Sequence, residues 1–296
     1  VLEALIDLVH GNARGPLGGL SLGNLDIITC PMTGAEAVIR SRANPHVKRL
    51  RALTSRGDPL LALLEGEKLV REALAAGLGL EEVALTPSFG SSQPLTAELR
   101  LRGIPVRVVA DDVFSSLSPA ETSQGILAVA RRRSFDEDAV FAANPLLVVA
   151  VGVQNPGNLG GLLRTAEAAG ATGVIVTEGC ADPFSWKALR GSMGSAFRLP
   201  HLRQVPVADA LNLLASRGVA LLAADSDGRL RFDQADYRGP VAILVGAEGS
   251  GLPTEVRRRA SLVVRIPMAG AVESLNVGVA TALLLYEAAR QRSTLR

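Results

Sequence analysis

The stretch from Gly246 to Ala289 constrains the fold of this chain more than any other. An apolar run, Val241-Ala-Ile-Leu-Val245, stops at Gly246-Ala-Glu-Gly-Ser-Gly251, and a second, Leu262 to Ile266, stops at Pro267-Met-Ala-Gly270. A helical pattern then opens at Glu273-Ser-Leu-Asn276. Two buried strands thus end in glycine-rich loops, and the second loop feeds a helix. In open α/β sheets ligands bind past the carboxyl ends of the strands. The polar side chains left at these ends are Glu248, Ser274 and Asn276. Taken singly, Ser274 reads equally as a helix cap and Glu248 as a loop carboxylate. The three together point to a site.

The strand pattern begins earlier. Pro145 to Val153 is a continuous apolar run of the kind buried on both faces of a parallel sheet. Gly173–Thr177 and Val219–Ala224 repeat it, and Leu162–Ala169 and Val207–Ala215 read as helices between them. Residues 144–296 therefore predict a doubly wound α/β domain. Such a sheet needs a large core, and 48% hydrophobic residues supply it; only 3% are aromatic, so the core is aliphatic and offers little surface for base stacking. A smaller α/β unit precedes it over 36–131. Its strands are 61–66, 80–86, 106–109 and 125–130, with helices at 67–76 and 95–102 and a short one at 111–116. The charged segment Arg131-Arg-Arg-Ser-Phe-Asp-Glu-Asp138 marks the boundary, and 132–143 reads as a linker. Residues 1–35 are apolar and glycine-rich with one cation, Arg14, and are expected to be a poorly ordered extension; Met32 is a candidate start.

Several function classes are disfavoured. Cys30 and Cys180 are too far apart in sequence for a disulfide framework or zinc motif, and they suit a reducing cytoplasm. His10, His46 and His201 are scattered, so no metal is expected. No apolar run reaches the roughly 18 residues of a membrane span. The opening VLEALIDLVH carries Glu3 and Asp7, unlike a signal peptide. The loop at 154–161 follows a strand and opens a helix, yet Gly157, Gly160 and Gly161 do not fit a dinucleotide-binding G-x-G-x-x-G, and the P-loop lysine is missing.

Two basic features remain. Arg40, Arg42, Lys48, Arg49, Arg51 and Arg56 fall within one stretch free of acids. It reads either as a solvated helix face or as a phosphate-facing patch. Arg164, six residues after Asn158, has apolar or small flanks, so its stem is expected to be partly buried and its head aimed at the loop cleft. A guanidinium there suits a phosphate.

Three blocks now line up. They are Asn155-Pro-Gly-Asn-Leu-Gly-Gly-Leu-Leu-Arg-Thr-Ala166, Leu244-Val-Gly-Ala-Glu-Gly-Ser-Gly-Leu252 and Ile266-Pro-Met-Ala-Gly-Ala-Val-Glu-Ser-Leu-Asn-Val-Gly-Val-Ala280. In sequence, order and separation they resemble the signature motifs of the SpoU family, RNA 2′-O-ribose methyltransferases of the SPOUT superfamily. The resemblance covers about residues 36–296. Trp186 stands where the family commonly has proline, and Gly278 replaces a small polar residue or alanine.

The resemblance implies a C-terminal trefoil-knotted domain, a parallel sheet flanked by helices, which is an exception to unknotted topology. It implies a smaller N-terminal α/β RNA-binding domain similar to small ribosomal proteins. It also implies transfer of a methyl group from S-adenosylmethionine to a ribose 2′-hydroxyl, with 23S ribosomal RNA favoured over transfer RNA. The alternative in another class is an inactive RNA-binding member of the fold. Arg164, Asn158, Glu248, Ser274 and Asn276 become the catalytic set, with Arg164 either a base or a phosphate anchor. Val245, Gly246, Ile266, Pro267, Met268 and Leu275 become the cofactor set. Arg42, Lys48, Arg49, Arg51, Lys187 and Arg190 are the expected RNA contacts. The resemblance also implies a homodimer through the C-terminal domain, and the last helix fits it, with apolar positions at Leu275, Val279, Leu283, Leu284 and Ala288, more than one face needs.

Overall fold

The computed structural model describes residues 37–90, 93–118, 120 and 122–292, and the expectation for 1–35 lies outside them. Strands β1 (Leu61–Glu65), β2 (Leu80–Leu85), β3 (Val106–Val108) and β4 (Ile126–Arg131) form one sheet in the order β1-β4-β2-β3. β4 runs antiparallel to both β1 and β2, and β3 is parallel to β2. Helices Pro45–Arg56, Glu67–Ala75 and Pro94–Leu101 accompany it. The first of these starts where the Asn44 side chain accepts from the His46 amide and Pro45 presets the first turn.

The second sheet is built from β5 (Leu146–Ala150), β6 (Gly173–Thr177), β7 (His201–Val205), β8 (Ala220–Ala224), β9 (Leu230–Arg231), β10 (Val241–Val245) and β11 (Leu262–Arg265). Their order is β7-β6-β5-β10-β8-β11-β9, with every neighbouring pair parallel. β5, β6 and β10 are buried at every residue, as strands covered on both faces must be. The order departs from a simple doubly wound sheet. β10 lies between β5 and β8, pairing Val241 with Leu146 on one side and Ala220 on the other.

The charged connector is not a free linker. Arg132 donates from Nε to the Leu61 carbonyl at 2.8 Å and from Nη1 to Asp182. Arg133 reaches the Ala76 and Phe197 carbonyls, and Val140, in a short helix Glu137–Val140, is fully buried. The segment reads as a linker in sequence because the acceptors of its arginines lie far away along the chain. Trp186 adds to the same seam: its Nε1 donates to Glu65 Oε2 at 3.0 Å, tying β1 to the second sheet's helices. One buried apolar cluster runs from Leu64 and Ile126 through to Leu146 and Leu189, so both sheets share a core.

His201 opens β7 and carries a testable consequence. It is 3% exposed and lies beside the rings of Phe135 and Phe184. Nδ1 reaches the Leu199 carbonyl, while Nε2 is buried without a partner. Burial pushes the imidazole down from 6.5 to about 4; the backbone bond and Asp182 oppose this, and Arg203 adds to it. Below pH 6.5 the unfolded chain takes up a proton that the folded one refuses, so stability falls as pH drops toward 4. At about 1.36 kcal/mol per unit, the loss between pH 6.5 and 5 is roughly 2 kcal/mol. In urea titrations His201→Phe should lose less stability over that interval than the wild type. Parallel losses in both would rule out this histidine as the cause.

Candidate active site

β10 ends at Val245 because the next residue must be glycine. A Cβ on Gly246 would lie 2.2 Å from the Gly251 carbonyl carbon and 2.4 Å from the Leu252 amide nitrogen. The loop folds back on itself through a bridge between Ala247 and Gly251, whose φ of 64° favours glycine. This presents Glu248 outward. The last helix begins at Val277, later than the helical pattern suggested. Asn276 is its cap, with Oδ1 accepting from Gly278 and Val279 amides at 2.9 and 3.4 Å. Residues 271–276 lie outside regular structure, which leaves Ser274 exposed.

On the other side, the helix Pro156–Ala168 takes in most of the loop expected at 154–161, capped by Asn155. It packs closely on the helix Trp186–Ser192. A Cβ on Gly160 would be 2.3 Å from the Ala188 carbonyl oxygen. Its first turn carries Asn158.

These three segments meet at one oxygen. Glu248 Oε1 accepts from Asn158 Nδ2 at 2.5 Å and from Asn276 Nδ2 at 2.9 Å, and Asn276 Nδ2 also lies 3.1 Å from Asn158 Oδ1. Asn158, Glu248 and Asn276, far apart in sequence, are one hydrogen-bonded cluster.

Beside it opens a cleft of about 950 Å³. Val245, Gly246, Ile266, Pro267, Met268 and Leu275 all line it, as do Glu248, Ser274 and Asn276. The part of the cleft walled by Val245, Ile266, Met268 and Leu275, with the Gly246 backbone at close range, fits an adenosine, whose flat base needs close-range backbone contacts rather than charge. The far wall was missed by sequence reasoning: Asp225 and Asp227, just past β8, and Arg257 in the helix Thr254–Arg259. The polar turn Asp225-Ser-Asp-Gly228, directly after a buried strand, was the available signal.

Arg164 departs from expectation. It is exposed, does not line the cleft, and makes no hydrogen bond or ion pair among the described residues. Six helical residues separate it from Asn158 by about 240° around the axis. Its flanks Leu162, Leu163 and Ala166 take the buried sector and turn it to solvent.

The basic run is also partly neutralised. Arg49 pairs with Glu81 and, at 2.9 Å, with Glu82, both brought by β2. Arg51 donates to Ser116 Oγ at 3.0 Å, whereas Arg42 and Lys48 stay exposed. Lys187 is exposed, and Arg190 lies over the Trp186 ring at 5.6 Å. No cluster of metal-ligating side chains occurs among the described residues, and none of their helices is long and apolar enough to cross a membrane.

Comparison with known proteins gives the family and the fold. Residues 145–286 match the SpoU rRNA Methylase family, and residues 44–128 match the MRM3-like substrate binding domain. The chain is 32% identical over 251 residues to the 23S rRNA (guanosine(2553)-2′-O)-methyltransferase RlmP of Bacillus subtilis, covering 84% of this chain and 97% of the relative. The crystal structure of AdoMet-bound rRNA methyltransferase from Sinorhizobium meliloti superposes with a TM-score of 0.77 at 34% identity, over 86% of this chain and 97% of that one. AviRb from Streptomyces viridochromogenes, in complex with the cofactor AdoMet, gives 0.76 at 28% identity, over 86% and 100%. Fold and site thus define an RNA 2′-O-methyltransferase that uses S-adenosylmethionine. The chain belongs to the SpoU rRNA methylase family.

Proposed function

We propose that this enzyme methylates a ribose 2′-hydroxyl of 23S ribosomal RNA in the cytoplasm. The observation that carries the reading is the cluster at Glu248 Oε1 beside a glycine-walled cleft. The similarity to RlmP, a 23S rRNA methyltransferase, supports the choice of RNA. Mapping 2′-O-methyl sites in cells with and without the gene tests it: a site lost from 23S RNA is expected, and a site lost only from transfer RNA refutes it.

When bound, S-adenosylmethionine supplies an electrophilic methyl group. The chain's own residues handle the ribose. Its 2′-hydroxyl is a poor nucleophile; as its oxygen gains the methyl group it gives its proton to solvent water, which reaches the mouth of the cleft at the exposed Ser274 and Asn276. Arg164 grips the phosphate next to that ribose with two parallel hydrogen bonds. A guanidinium is effectively always protonated, so phosphate anchoring is its main role. Ser274 and Asn276 orient the ribose at the mouth of the cleft. Glu248, with Oε1 already engaged by two amides, fixes the loops rather than the substrate. The proposed trefoil knot, with the C-terminal segment threaded through a loop, is supported by β10 lying between β5 and β8.

The reading includes a homodimer. The last helix buries Leu284 and Ala288 but leaves Val279, Leu283 and Tyr286 49%, 39% and 45% exposed. Spaced at i, i+4 and i+7, they form one apolar stripe. Light scattering at micromolar concentration should give a dimer mass, and Leu283→Arg with Tyr286→Glu should give a monomer. A monomeric wild type would refute the interface.

RNA is proposed to lie along Arg42, Lys48 and Arg51, with Lys187 and Arg190 nearer the site. Each phosphate contact contributes roughly 0.7 to 0.9 to the slope of log K against log salt. Replacing Arg42, Lys48 and Arg51 with alanine should therefore flatten that slope by about 2 units in filter binding. Arg49→Ala should change it little, because Glu81 and Glu82 already hold that charge. An unchanged slope in the triple variant would place the RNA elsewhere.

A further inference from the structure

We infer that Arg257 and Asp225 hold the amino-acid end of S-adenosylmethionine, the guanidinium taking its carboxylate and the aspartate its ammonium. Both residues line the cleft, yet neither lies in the two sequence blocks, 244–252 and 266–280, that build its opposite wall. Arg257 is under-engaged. Nη1 is 3.4 Å from Asp225 Oδ2 and 3.8 Å from Asp227 Oδ2, Nη2 is 3.4 Å from Thr254 Oγ1, and Nε is buried with no partner. Charge-assisted bonds normally close to about 2.7–2.9 Å, so this guanidinium keeps donors for another anion.

The other cation lining the cleft does not. Arg265 Nη1 is tied to the Gly228 and Arg229 carbonyls at 2.8 and 3.1 Å. Asp225 Oδ1 accepts from the Asp227 amide at 3.0 Å, which fixes the carboxylate and leaves Oδ2 facing Arg257. A zwitterion offers both charges on one carbon, and a loosely closed arginine–aspartate pair is its complement. An adenosine alone would leave the pair unused. The inference rests on this cleft being the cofactor site.

Calorimetry on the full chain separates the possibilities. The probes are S-adenosylhomocysteine and 5′-methylthioadenosine, which lacks the amino-acid end. The wild type should bind the first more tightly. Arg257→Gln should weaken S-adenosylhomocysteine at least about tenfold while leaving 5′-methylthioadenosine within about twofold. Arg257→Lys should fall between. Asp225→Asn, which keeps the acceptor for the Asp227 amide, should act in the same direction as Arg257→Gln. Equal losses for both ligands would mean that the pair only shapes the loop, and unchanged binding would mean that it touches nothing; either overturns the inference. A wild type that binds neither probe would overturn the cleft assignment and the inference with it.

Discussion

Arg164→Ala should reduce methyl transfer by roughly a thousandfold, on the scale of losing a charged group from a transition-state site. S-adenosylmethionine affinity should stay within about twofold, because an exposed residue outside the cleft has no part in holding it. Arg164→Lys should also be poor, since a point charge cannot reproduce the planar fork. The protein should fold normally, because Arg164 makes no hydrogen bond or ion pair among the described residues. Single-turnover methylation with tritiated cofactor, alongside calorimetry, reads both quantities. Near-normal turnover would remove Arg164 from the mechanism. A parallel loss of cofactor binding would move it into the cleft.

The second large effect lies at Gly246. Gly246→Ala puts a methyl 2.2–2.4 Å from backbone atoms of Gly251 and Leu252. Backbone cannot swing aside as a flexible side chain can, so the loop must shift, at a cost of about 1–3 kcal/mol by analogy with overpacked cores. The loop carries Glu248, so the shift also pulls apart the cluster with Asn158 and Asn276. Cofactor affinity should drop by about a hundredfold or more, equivalent to about 2.7 kcal/mol. RNA affinity should persist, since the basic run belongs to the other sheet's helix. Intact cofactor binding in this variant would show that the loop takes no part in holding the cofactor.

Much of this site is legible in the sequence because its parts are backbone features. Glycine at 246 and the apolar runs before it announce a strand that must stop, and all six residues expected to face the cofactor line the cleft. Asn158, Glu248 and Asn276 are legible as types, and their meeting follows from three segments that leave β5, β10 and β11 at the carboxyl ends of those strands. What local reading misses is set by distant partners. Glu81 and Glu82 come from a strand outside the basic run they neutralise. β7 begins with a buried histidine and carries Arg203 and Gln204, so it lacks an apolar signature. Arg164 misleads because its apolar flanks bury themselves rather than it.

The place of β10 also sets a time order. β10 supplies the middle of the second sheet, yet it comes late in the chain, after β5 to β9. During synthesis Val241 follows its partner Ala220 in β8 by 21 residues and its partner Leu146 in β5 by 95, so β5 waits longest for the strand that joins it to β8. Contacts of such long sequence separation form slowly. The end of β10, the loop after it and the final helix cap are also three walls of the cleft. A chain cut short before Val241 therefore lacks most of the cleft's lining, even with the helix Pro45–Arg56 complete. On the function proposed above, capacity to hold RNA would precede capacity to modify it, and methylation would wait until the last helix has docked.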